Sequence, residues 1–242
     1  MVKIKKIKEL KTVMESPLEF IEDKDPKLND ASLGALFFEI AKYLIQNVVI
    51  TIGRDTYYSF AEVEFYYYKE NSVLKDDPLY YCTYPREKDA MEFFFHNSGV
   101  DICFKSSIDK GKMEFGGVLI RTLKKNNKEI IAGPMRCAIE IMNSSFAKGV
   151  LPVLDESRGD NYCGVKTTDI KSTIRYGIEN VLRDKYDDIK KKFDENKLPL
   201  FCYYVPQTTW TRTYKKRIIK DSKNGGYKSS LKDYYGANPE KR

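Results

Sequence analysis

The stretch AEVEFYYY, Ala61 to Tyr68, places two glutamates two positions apart and follows them with three consecutive tyrosines. It lies in a run rich in β-branched and aromatic residues, Tyr57 to Tyr68, which has the composition of a long strand. A strand turns successive side chains to opposite faces. Val63, Phe65 and Tyr67 therefore form a core face. Glu62, Glu64, Tyr66 and Tyr68 point the other way, with the two carboxylates about 7 Å apart along the backbone. Two explanations fit the second face. It is the wet side of an antiparallel sheet, with tyrosines in cross-strand pairs, or it lines a cleft where a glutamate acts as general base on water while rings hold a planar ligand.

Around this strand the chain reads as a helix followed by hairpins. Asp30 to Gln46 carries Leu33, Leu36, Phe37, Ile40, Ala41 and Leu44 at helical spacing, with Asp30 or Ser32 as N-cap. VVITI, Val48 to Ile52, then turns at GRD and returns antiparallel as the long strand. Asn71 to Lys88 is polar, contains Pro78 and Pro85, and reads as a long loop. A second hairpin, MEFFF and VDICF around HNSG, leads to a strand from Phe115 to Leu123. Gly133 and Pro134 open another helix, because proline is tolerated at the first helical position. Lys171 to Lys192 reads as a longer helix with Ile174, Ile178, Val181, Leu182, Ile189 and Phe193 on one side. Antiparallel strands with helices at the ends give an α+β class.

Composition narrows the function classes. The 242 residues are 42% hydrophobic and 32% charged, too rich in core side chains for a disordered chain and too polar for a membrane protein. No run approaches the roughly 18 apolar residues of a membrane helix, and lysines stand where a secretory signal would have its apolar stretch. A cytoplasmic location is expected. The five cysteines are at least 21 positions apart and the only histidine is His96, so neither a disulfide framework nor a zinc site is expected. The net charge of +7 sits in the last forty residues, where ten Lys/Arg face three Asp/Glu and the rest of the chain is balanced. There Arg212, Lys215, Lys216 and Arg217 alternate with rings such as Trp210 and Tyr214, a pattern suited to phosphates and bases or simply to solubility. The expected organisation is an N-terminal extension over 1–29, an α+β domain over 30–202 and a basic, aromatic extension over 203–242.

The order of these segments resembles the alkyladenine (3-methyladenine) DNA glycosylase family, which removes damaged purines. The family's catalytic strand has the form E-x-E-x-Y, matched by Glu62, Val63, Glu64, Phe65 and Tyr66. Before it the family has a helix and short β-run, matched by LFFEIAKYLIQNVVI. After it come an aromatic hairpin (EFFFHNSGVDICF), an apolar strand ending in arginine (GGVLIRTL) and a Gly-Pro helix start (GPMRCAIEIM). The resemblance covers about Leu33 to Ile141. It implies a strongly curved antiparallel sheet flanked by helices, formyltransferase C-terminal-domain-like, acting on double-stranded DNA as a monomer without metal or cofactor. It implies that Glu64 activates the attacking water, that Arg121 helps hold that water, that Tyr66 stacks on the flipped base and that Phe95 is a second aromatic of the base pocket.

The departures are equally specific. Where the family has a histidine after an acidic loop segment, DDPLYYCTY offers Tyr80 or Tyr81, and a phenol is a poorer acid or base at neutral pH. The hairpin tyrosine that wedges into the duplex corresponds to Ser98, and a base-discriminating asparagine to Lys105. If Phe93 and Phe95 face the pocket, His96 points away, so it reads first as a structural or hydrogen-bonding histidine and second as a catalytic or base-binding one. Asn97, Ser98 and Gly99 are turn formers first. Glu62 reads as a charged neighbour or salt-bridge partner, and Lys105 equally as a phosphate contact or a solvated strand-end lysine. Three functions stay open: a glycosylase, a nucleic-acid-binding module on the same fold, and an N-glycosidase for a small nucleoside-type ligand.

Overall fold

The structure is a computed structural model that describes residues 3–20, 30–70, 87–157, 165–166, 169–173 and 202–205. The elements in chain order are α1 (Ile7–Glu15), a 3-10 turn (Pro17–Phe20), α2 (Asp30–Asn47), β1 (Val48–Ile52), β2 (Thr56–Lys69), β3 (Phe93–His96), β4 (Gly99–Cys103), β5 (Glu114–Lys125), β6 (Glu129–Ala132), α3 (Pro134–Lys148), β7 (Val153–Glu156), β8 (Lys171–Thr173) and β9 (Cys202–Tyr204). The strands form one curled, half-barrel antiparallel sheet in the order β3-β4-β5-β2-β1-β7, with β6 on β5 and the β8–β9 pair on β2. The expected α+β class with a curved antiparallel sheet is what the chain adopts. No helix among the described residues is long and apolar enough to cross a membrane.

The main core lies on the side of the sheet that carries the helices. Val63, Phe65 and Tyr67 of β2 enter it as alternation predicts, and so do Leu33, Leu36, Phe37, Ile40, Ala41 and Leu44 of α2. Phe37 is the hinge of this packing: its ring stacks on Phe65 at 4.7 Å and on Phe104 at 6.0 Å between centroids. Leu10, Val13 and Met14 of α1 are buried in the same core. The first residues are therefore not simply an extension. Three apolar positions in a lysine-rich stretch are enough to dock a nine-residue helix once a core is available to receive it.

The β2–β5 ladder is irregular at the position that matters most. Phe60 pairs with Leu123, Glu62 with Thr122, and Val63 with Ile120, so Ala61 and Arg121 each stand as an extra residue. The irregularity reverses the alternation. Tyr58 and Phe60 face the core above it and Val63, Phe65 and Tyr67 below it, while on β5 Val118 and Ile120 give way to Leu123. As a result Ala61 and Glu62 both leave the core side, and Arg121 and Thr122 do the same on the partner strand.

Further along, β5 runs very close to its neighbours. A Cβ on Gly116 would stand 2.5 Å from the Tyr66 carbonyl oxygen, and one on Gly117 2.9 Å from that of Ile102. Backbone atoms cannot yield as a side chain can. Gly116→Ala is expected to cost about 1–3 kcal/mol, as overpacking does, and to lower the urea midpoint without changing the slope.

Two readings need correction. Lys171 to Lys192 does not begin as a helix: Lys171–Thr173 is β8, paired with Tyr204, Tyr203 and Cys202 of β9. The helical spacing starts only at Ile174, and from there to residue 192 the reading lies outside the described residues. The boundary at 202/203 falls inside β9, where Tyr203 is buried in the core, its ring edge-on to Phe65 and its hydroxyl donating to the Gly34 carbonyl. A count of charge cannot separate these buried tyrosines from the basic segment that follows them.

α3 is tied to the sheet through Glu140, whose Oε1 accepts from Lys125 Nζ at 2.7 Å and from the Tyr58 hydroxyl at 2.9 Å. Burial pushes the Glu140 carboxyl up, but the hydrogen bonds from Lys125 and Tyr58 outweigh it and hold the pKa below its ordinary value of 4.5. A depressed carboxylate contributes stability that is complete above its unfolded pKa and lost as the pH falls through the folded one. Glu140→Gln is accordingly expected to lose no more than about 1 kcal/mol at pH 7, because the pair is partly exposed. Urea unfolding of variant and parent should converge as the pH falls below about 4.

Candidate functional site

The face of the sheet opposite the main core is the one the bulge serves. Antiparallel register sets its members in rows. Glu64 of β2 lies beside Leu119 of β5, Leu119 beside Asp101 of β4, and Asp101 beside Phe94 of β3, while Cys202 of β9 flanks Glu64 on the other side. With strands about 4.8 Å apart, Glu64 and Asp101 stand about 10 Å from each other.

Arg121 is the centre of this face. Its Nη1 donates to Glu64 Oε2 at 2.9 Å and its Nε to Glu62 Oε1 at 3.2 Å. Glu62 also accepts from Thr122 Oγ1 at 3.1 Å and from Cys202 Sγ at 3.3 Å. All three charged groups are buried, with Glu62 2%, Glu64 3% and Arg121 5% exposed. The bulge explains how one guanidinium reaches both carboxylates. It brings Arg121 and Thr122 to the same side of β5, where regular alternation would have sent one of them into the core. Two carboxylates against one arginine leave a formal excess of one negative charge when both are ionised. A buried set of this kind persists only with good geometry and further donors, which Thr122 and Cys202 supply.

Tyr66 continues the face, buried against Phe115 and Leu119, and Phe115 in turn stacks on Tyr68 at 4.7 Å between centroids. A buried aromatic cluster thus adjoins the carboxylate of Glu64 on the same strand. Tyr67 belongs to the core, and its hydroxyl donates to Glu114. Burial, reinforced by the Glu114 charge, pushes that phenol far above its ordinary pKa.

The hairpin β3–β4 contributes an element that the sequence reading set aside. The two-residue turn Asn97–Ser98 pairs His96 with Gly99 and Phe94 with Asp101, so His96 and Phe94 lie on the Glu64 side. His96 Nε2 is 3.2 Å from Asp101 Oδ2, and Asp101 is fully buried. The Ser98 amide donates to His96 Nδ1 at 3.3 Å. The Phe94 ring stacks on the imidazole at 5.6 Å.

Phe95 is not on this face. Phe93 packs on the main core, and Phe95 lines a groove with Ile7, Lys8 and Lys11 of α1 and Val153 of β7. The expectation that Phe95 and Tyr66 enclose one ligand is thus corrected by parity: starting from Phe93, the next core-side position is Phe95, and His96 and Phe94 take the opposite side. Ser98 is exposed at the hairpin tip. Lys105 is exposed beyond the end of β4, where its amide donates to the Met14 carbonyl of α1, away from Arg121. Tyr80, Tyr81, Arg212, Lys215, Lys216 and Arg217 lie outside the described residues.

The structure brings together Glu64, Arg121, Tyr66 and His96 on one face and adds Glu62, Asp101 and Cys202 to them. Asp101 had a legible signal: a two-residue turn at Asn97–Ser98 fixes the register and places it opposite Phe94. Cys202 had none, because its pairing with Glu64 joins positions far apart in the chain. Among the described residues no group of three or more His, Cys, Asp or Glu side chains is arranged to hold a metal ion. Chemically, the face offers a carboxylate oriented by an arginine next to an aromatic surface, an arrangement able to steer water and to face a developing positive charge. No protein-family model, no curated protein and no solved structure matches this chain.

Proposed function

We propose that this face is the substrate site of an N-glycosylase acting on a purine held out of its stack, as the resemblance to the alkyladenine DNA glycosylase family implies. The observation that supports it best is the bridging of Glu62 and Glu64 by Arg121 on one buried face beside Tyr66. In this reading Glu64 takes a proton from water as the water oxygen bonds to the sugar carbon. The carbon–nitrogen bond breaks, the base leaves with the bonding pair, and the proton follows to the departing base. The sugar passes through an oxocarbenium-like state that the adjacent carboxylate stabilises. Arg121 orients the carboxylate and Tyr66 offers its ring to the base, offsetting part of the unstacking cost. Glu62 holds the other side of the guanidinium.

The hairpin tip favours an unpaired substrate over an intact duplex. Asn97 and Ser98 are the exposed tip residues, and neither carries an apolar side chain able to fill the gap a flipped nucleotide leaves. The experiment is a base-release assay with hypoxanthine, ethenoadenine and 3-methyladenine presented in duplex, in single-stranded DNA and as free nucleosides. Release from single strands or nucleosides in preference to duplex is the expected result. Salt-dependent binding with no release from any of them would replace catalysis with the binding-module reading.

A further inference from the structure

Large apolar side chains are exposed in a very uneven way. Of the nine that stand in solvent among the described residues, all but Ile108 belong to α3, to the segment just after it, or to Phe95 across the adjoining groove. On α3 they are Met135, Ile139, Met142 and Phe146, with Ile139 49% and Phe146 78% exposed. Their spacing of four, three and four residues is that of a two-stranded helical seam. The other side of the same helix, Cys137, Ala138 and Ile141, is already in the core. A helix apolar on both sides is one that belongs inside an assembly.

The strip continues past the helix. Val150 and Leu151 follow it, Leu151 being 82% exposed, and Leu151 and Val153 line the groove of about 670 Å³ that holds Phe95. Together these side chains, each between 37% and 82% exposed, leave on the order of several hundred Å² in solvent, comparable with what each partner gives to a standard-size interface.

We propose that this strip is the contact surface of a homodimer in which the α3 helices of two copies pack antiparallel. Self-pairing suits it because a 4-3-4 seam is complementary to a second copy of itself, so one surface supplies both sides of a two-fold interface. On α3 itself the residues bordering the middle of the seam on its solvent flank are Asn143 and Ala147, so no charge of the helix stands there, while Lys8, Lys11 and Lys88 line the groove beyond it, beside Leu151 and Val153. Arg136 is the one cation of that flank. Antiparallel packing separates the two Arg136 side chains and sets each beside the C-terminal, negative end of the partner helix. Lys148 does not oppose this, since it turns away to bind Asp55 and Thr56. The inference departs from the monomer expected from the sequence and does not depend on the proposed chemistry.

Light scattering coupled to gel filtration on the full chain tests it, from about 1 to 100 µM. The expected mass is twice 28.2 kDa. Ile139→Glu and Phe146→Glu, both at exposed positions that need no refolding of the core, should each weaken association by roughly 30-fold or more with unchanged circular dichroism. Ile108→Glu, outside the strip, should leave the dimer intact. A single-chain mass across the whole range overturns the proposal. So does a dimer that both glutamate variants leave intact, because association would then use another surface.

Discussion

Arg121→Met is expected to destabilise the protein by about 3–5 kcal/mol, the cost of breaking a buried ion pair by removing one partner. The guanidinium is the common partner of Glu62 and Glu64, and all three groups are buried. Methionine keeps much of the volume but removes the one cation that both buried carboxylates bind. Thr122 and Cys202 continue to serve Glu62 but cannot replace the lost positive charge. The loss should therefore be recovered in part when Glu62→Gln and Glu64→Gln are added to Arg121→Met, because a neutral cluster no longer carries unpaired charge. Urea unfolding of the single and triple variants measures both terms. A single variant within about 1 kcal/mol of the parent would mean that the face is hydrated and the ion pairs are of the weak, exposed kind.

This expectation also shows where sequence reasoning reached and where it stopped. Alternation from Glu62 to Tyr68 was legible because each residue's side follows from its neighbour's, and it correctly separated Tyr67 from Tyr66. The parity reversal between Phe60 and Val63 was not legible. It depends on β2 and β5 each holding an extra residue against the other, and that is a property of a pair about sixty positions apart. Without it Arg121 looks like a strand-end arginine and the salt bridge expected of Glu62 has no named partner, and with it they form one cluster. The hairpin failed differently. Phe93, Phe94 and Phe95 are chemically identical, so nothing local says which of them face the core, and assuming the wrong pair misplaced Phe95 and sent His96 to the wrong side.

Helices α2 and α3 were readable from spacing, turn chemistry and the Gly-Pro start. Gly133 precedes Pro134 in the structure, and Gly149 closes α3 in a left-handed conformation, its N–H donating to the Phe146 carbonyl. The strands β6 to β9 were missed because three or four residues carry too little pattern to be distinguished from loop. Their existence is decided by the long strands that receive them, as β9 is by β2. The apolar seam on α3 was present in the sequence but mute, since spacing alone cannot tell a side that meets the core from one that meets a second molecule.

The second large effect concerns Glu64. If Glu64 takes the proton from the attacking water, Glu64→Gln removes the base while keeping the shape and one hydrogen-bond acceptor for Arg121. General-base loss of this kind costs about 10²–10⁴ in rate. Glu62→Gln changes the charge of the same cluster by the same amount and removes no group that faces the substrate. It should therefore keep most of the activity while losing a similar amount of stability. The comparison separates chemistry from the upkeep of the cluster, which either variant alone would confound. The most direct measurement is single-turnover release of purine from a substrate found active in the panel, made with the parent, Glu62→Gln and Glu64→Gln at matched folded fractions. Release by the parent and by Glu62→Gln is expected, with a loss of about a hundredfold or more in Glu64→Gln. Release by Glu64→Gln at the parent's rate would contradict it, as would a parent that releases no base from any member of the panel.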